Sequence, residues 1–133
     1  MTNEQVQVCD DLWREALAAG LVRWMPGMVT ASGKIIAQGR DLPLKIHTSV
    51  GPARVSPANV RLDWSHPCNL GWLLAMAREA TADPTLYICI VPGALLDGED
   101  RWCVGLPGRR GLIQAETEPE ALLRAILATR GER

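Results

Sequence analysis

The sequence contains no phenylalanine and a single tyrosine, so five of its six aromatic residues are tryptophan. It has two histidines and a formal charge of −1, from 14 basic and 15 acidic side chains. A balance this close to neutral argues against a general polyanion binder. Long apolar runs are missing as well. The longest, Leu70 to Ala77, is eight residues, against the ~20 that a membrane-spanning helix needs. Cys9, Cys68, Cys89 and Cys103 lie far apart, and no pair shows the two-residue spacing of a zinc knuckle or a redox dithiol. The Gly-x-Ser-x-Gly elbow, the dinucleotide glycine fingerprint and the His-Glu-x-x-His helix are all absent. No cofactor and no metal is therefore expected.

The stretch Met1 to Val8 is polar and acidic, without the basic start or apolar core of a signal peptide. We therefore expect a cytoplasmic protein with reduced thiols. Cys9, Cys89 and Cys103 fall in apolar periodic segments, so each is expected as a small buried hydrophobe.

What is present fits one globular domain over residues 1–133, with 47% apolar and 22% charged residues. Val6, Cys9, Trp13, Ala16 and Leu17 recur at helical steps and predict a helix over 4–19, capped by Thr2 or Asn3 and stopped at Gly20. Residues 28–31 and 34–38 read as a hairpin around Ser32-Gly33. Gly39 to Asp41 makes a turn into a half-buried strand over 42–48, which Pro43 pushes toward a sheet edge. From Ser49 to Asn59 the signal is weak, with one short strand possible at 53–55 and an extended piece at 60–62. A helix over 67–82 follows, capped by Ser65 or His66, with Pro67 in its first turn. Leu70, Leu73, Leu74 and Ala77 form one face of it, and Trp72 and Met76 another. Residues 86–91 form a continuous apolar run, which predicts a central strand. A second hairpin spans 101–106 and 112–115 around Pro107 to Gly111. The last helix, 118–130, carries a Thr117/Glu120 capping box and a stripe of Leu122, Leu123, Ile126 and Leu127. Hairpins joining most strands, with helices between them, predict an α+β fold with a mainly antiparallel sheet.

Charge is uneven along the chain. Residues 21–62 carry +5 and 101–115 carry +3, while 1–20, 63–100 and 116–133 carry −3, −5 and −1. These segments either neutralise one another or leave a basic face for an acidic partner or for nucleic acid. Three groups could act. Cys68 in the first turn of a helix, beside His66, is a candidate reactive thiol. Arg109 and Arg110 at a hairpin tip could hold an anion or an acidic partner. Trp24 and Trp64 stand beside turns, where a half-exposed indole can serve as a binding anchor. Trp13 and Trp72 fall on apolar helix faces and read as core. Asp97 to Asp100 lacks the ligand spacing of a calcium loop and reads as a solvated turn.

Two stretches carry a resemblance. One is Trp24-Met25-Pro26-Gly27-Met28 with Thr30 and Gly33. The other runs from Asn69 to Ala80, followed by Asp83-Pro84-Thr85, a strand and a Glu-Ala-Leu-Leu helix. Together they resemble a group of small accessory proteins encoded by tailed bacteriophages and prophages, over residues 12–38 and 66–130. The chain departs from that pattern with His66-Pro67, where Asp-Pro is expected. The resemblance implies a phage gene product acting in the bacterial cytoplasm and transfers no activity.

The sequence thus points to a non-enzymatic protein that binds a host protein or itself as a homo-oligomer. The alternatives are an enzyme using Cys68 and His66, or a nucleic-acid binder using the basic region 21–62.

Overall fold

The structure, a computed structural model, describes residues 1–38, 44–93, 98–105 and 113–132. The first apolar stripe folds as α1 (Asn3–Ala18), with a complete capping box in which Thr2 and Gln5 each serve the other's backbone N–H. After it, Leu21, Val22 and Trp24 turn inward. The hairpin around Ser32-Gly33 is formed. Val29 bridges Ile35, and Gly33 takes φ +84°, a region open to glycine.

Strands β1 (Ile36–Gln38), β2 (Lys45–Thr48) and β3 (Gly51–Arg54) make one antiparallel sheet in the order β1-β2-β3. The β2–β3 hairpin corrects the weak reading of 49–59. Its strand contains Pro52, opposite His47. Proline cannot donate to a ladder, so the sequence hides a strand that the edge position permits. Leu44 and Ile46 point into the core, as alternation requires. The predicted turn at 39–41, together with Leu42 and Pro43, lies outside the described residues.

Helix α2 (Pro67–Ala80) is capped by His66 and stops two residues before the predicted 82, where Ala82 takes φ 54°. A second antiparallel sheet follows, β4 (Tyr87–Val91), β5 (Arg101–Gly105) and β6 (Ile113–Ala115), in the order β4-β5-β6. The hairpin turn expected at Pro107 to Gly111, with Arg109 and Arg110, lies outside the described residues. Helix α3 (Glu118–Ala128) ends earlier than predicted and runs into a short 3-10 turn at Thr129–Glu132. Thr117 caps α3 by accepting from the Glu120 N–H, but the Glu120 carboxylate accepts from Glu116, one residue before the cap.

The sequence-predicted α+β fold is therefore present, as three helices and two three-stranded antiparallel sheets. Helix α3 packs on α1, α2, β5 and β6. One continuous cluster of buried side chains contains residues of all three helices and of both sheets. No helix is long and apolar enough to cross a membrane among the described residues.

Two expectations are corrected here. β4 is an edge strand, not a central one, and Tyr87 and Ile90 are about half exposed. Cys89 is exposed with them, while Cys9 and Cys103 are buried as expected. An apolar run fits an edge as well as a centre, because pairing partners and not composition decide the place. Trp72 is half buried and packs against the core from its margin.

Candidate functional site

The tryptophans expected beside turns are interior. Trp24 is 5% exposed and Trp64 3%, so neither is a surface anchor. Both meet Trp13 edge to face, with ring centroids 5.3 Å and 5.8 Å apart. Such T-shaped pairs align a ring edge with a ring face. The turns that flank Trp24 and Trp64 serve to send the indoles inward.

A buried carboxylate completes this cluster. Asp10 is 4% exposed on the inner face of α1. It accepts from Trp64 Nε1–H at 2.9 Å and from Arg61 Nε at 3.0 Å. A charge this buried needs paired hydrogen bonds, and it has them. Sequence reasoning did not single out Asp10. The signal was its place in the apolar stripe, four residues after Val6 and three before Trp13.

Arg61 carries this network to the surface. Its backbone C=O accepts from the Ala31 N–H at 2.7 Å, beside the bridge from Thr30 to Leu62. Arg61 also lines a cavity of about 530 Å³. One wall is the hairpin turn, with Thr30, Ala31, Ser32 and Lys34. The rest of the lining is the end of β3 and the segment after it, with Arg54, Ser56, Asn59 and Arg61, and Ile46, Val55 and Val60 add apolar surface. The turn is stiffened from within. Thr30 Oγ1 lies 3.0 Å from Ser32 Oγ and accepts from the Lys34 N–H at 3.0 Å.

The electrostatics of the cleft are one-sided. Lys34, Arg54 and Arg61 line it, and among the described residues no Asp or Glu does. Arg61 is partly neutralised by Asp10, its Nη2 lying 2.9 Å from the carboxylate. Lys34 and Arg54 form no ion pair among the described residues. The basic balance of 21–62 had marked this region. It could not mark the cleft, whose walls are about twenty residues or more apart in sequence and meet only in the folded chain, through the sheet and the Thr30–Leu62 bridge.

His66 and Cys68 come together in another way than a catalytic pair would. His66 Nδ1 accepts from the backbone N–H of Cys68 at 3.2 Å and so caps α2. The lone pair that would deprotonate the exposed thiol is used by the helix. Behind the cap lies Asn69, fully buried. It accepts from the Val29 N–H at 2.9 Å and donates to the C=O groups of Val29 and Asp63 at 2.7 and 2.8 Å. This side chain pins the hairpin that forms one wall of the cleft to the start of α2. Arg109 and Arg110 cannot be placed relative to it, being outside the described residues.

Comparison with family models, curated proteins and solved structures returned no match for this chain.

Proposed function

We propose that this is a non-catalytic binding protein whose cleft takes an acidic segment of a partner protein. One observation carries the reading: three cationic residues line a cavity that, among the described residues, no Asp or Glu lines. Its volume of about 530 Å³ lies within the ~300–1,000 Å³ of ligand sites. Carboxylates of the partner would meet Lys34, Arg54 and Arg61, and an apolar side chain would rest on Ile46, Val55 and Val60. A single strand of nucleic acid fits less well. Its bases need exposed aromatic faces to stack on, and no tryptophan or tyrosine lines the cleft. The resemblance to phage and prophage accessory proteins makes a bacterial host protein the partner to look for, in the host cytoplasm.

The test is fluorescence anisotropy with a labelled peptide alternating Glu and Leu. Binding should weaken with salt. Lys34→Ala and Arg54→Ala should each weaken it about 2- to 5-fold, the worth of one exposed charge pair. No binding at low salt, or binding that ignores both substitutions, overturns the reading. Tight binding of a single-stranded oligonucleotide in place of the peptide would transfer the site to nucleic acid.

A second reading, self-association, rests on β4. Its residues Tyr87 to Val91 include no charge and no proline, the usual protections of an edge strand. A second copy would extend the sheet antiparallel across that edge.

A further inference from the structure

Cys89 and Cys103, fourteen residues apart in sequence, stand directly opposite each other on β4 and β5. Directly opposed side chains on an antiparallel pair share one face, with Cβ atoms about 4.5–5.5 Å apart. Disulfides form across Cβ separations of about 3.5–4.5 Å, so a small approach of two short side chains suffices. The shared face is the outer one. Their neighbours Ile88, Trp102 and Val104 point the other way and belong to the core or pack on it.

The two thiols differ in a useful manner. Cys89 is exposed. Cys103 is 1% exposed and yet is not part of the core cluster, so it is covered on the outer face of the sheet. In the next pair along, the Tyr87 ring folds over Gly105 and occupies the space a side chain there would need. The pair is therefore one accessible nucleophile with a shielded partner beside it. The closeness is also electrostatic: burial first, and then the neighbouring Cys89, push the Cys103 thiol up from its ordinary value.

We propose that Cys89 and Cys103 are a paired-thiol site that exchanges with low-molecular-weight disulfides and closes to a cross-strand disulfide. In the first step the Cys89 thiolate attacks one sulfur of the small disulfide. A protein–small-molecule S–S bond forms, the small S–S bond breaks, and the departing thiolate takes up the proton Cys89 lost. In the second step the Cys103 thiolate attacks Cys89 Sγ and expels the second small thiolate, which takes the proton from Cys103. Two protein thiols are oxidised and one small disulfide is reduced to two thiols. The raised pKa leaves little Cys103 thiolate at neutral pH, while its fixed place beside Cys89 gives it a high effective concentration. Closure therefore speeds up as pH rises. The other cysteines are internal controls. Cys68 is exposed and has no cysteine opposite it, and burial pushes the Cys9 thiol up to about 11.

The test treats the native chain with oxidised glutathione at mildly alkaline pH, quenches with acid, alkylates, and maps peptides by mass spectrometry. Cys89 and Cys103 should be recovered joined, Cys68 as a glutathione adduct, and Cys9 as a free thiol. In Cys103→Ser the glutathione should stay on Cys89. In Cys89→Ser, a change at an exposed position, Cys103 should remain free. Glutathione persisting on Cys89 of the wild-type protein would overturn the proposal. So would Cys89 joined to Cys89 of a second chain, or both thiols left unreacted.

Discussion

Asn69 shows how one polar side chain can hold two distant segments together. It is fully buried, and three hydrogen bonds use its amide on the backbone of Val29 and Asp63. The carbonyls of Val29 and Asp63 each have a second donor, from the Asp63 and His66 N–H groups. The Val29 N–H has Asn69 alone among the contacts described. Asn69→Ala should therefore cost about 2 kcal/mol, the penalty of one orphaned buried amide with a small cavity. The urea midpoint should fall with an unchanged slope. A loss within experimental error would mean that water replaces the amide. The same scale explains why residue-level reading fell short. Trp24 and Trp64 stand beside turns, as half-exposed anchors often do, but both pack inward on Trp13, and Trp64 also donates to a buried carboxylate on α1. Asp10 and Trp64 are 54 residues apart, and no local pattern joins them.

At the scale of elements, the start of α2 has a pH dependence of its own. Asp63 accepts from the Ser65 hydroxyl at 2.7 Å and from its N–H at 3.0 Å. The Ser65 hydroxyl, above all, holds the Asp63 carboxyl below its ordinary range. A depressed folded-state pKa means stability that is present above the unfolded value of about 3.9. It is lost as pH falls through the folded value. Asp63→Asn keeps an acceptor oxygen and removes the titration. Wild-type stability should therefore fall more steeply below about pH 4 than that of the variant, measured as urea midpoints across an acid series. Parallel curves would show that Asp63 contributes nothing there. Helix placement was largely legible in the sequence, because caps and apolar stripes are local: Thr2, Thr117 and the first-turn prolines of α2 and α3 act where the pattern placed them. Strand placement was less so. Pro52 obscures β3, and the apolar run of β4 reads as a central strand because it says nothing of its neighbours.

Across the whole molecule, both sheets and all three helices share one core, and the surface features stand apart from it. The cleft lies beside the first sheet, and β4 forms an edge of the second. Ile90 is 53% exposed on that edge, so Ile90→Lys should leave stability within about 0.5 kcal/mol. If copies of the chain join through β4, sedimentation should show a concentration-dependent dimer for the wild type and a monomer for the variant. A wild type that stays monomeric at high concentration would exclude this route. The two surfaces can be separated experimentally, because Lys34 and Arg54 lie on neither β4 nor its sheet.

The sequence by itself determined the helices with their caps, the turn at Ser32-Gly33, the antiparallel habit of the strands and the basic character of 21–62. Each follows from residues within a few positions of one another, where backbone preference and periodicity act. Only the tertiary structure decided that Trp24 and Trp64 are interior, that β4 is an edge, that Cys89 faces Cys103, and that Lys34, Arg54 and Arg61 share a cleft that no Asp or Glu lines among the described residues. Those outcomes depend on pairing and burial between segments far apart in sequence. Composition is silent on such pairings, because the same side chain is stable in a core or on an edge according to what the rest of the fold brings beside it.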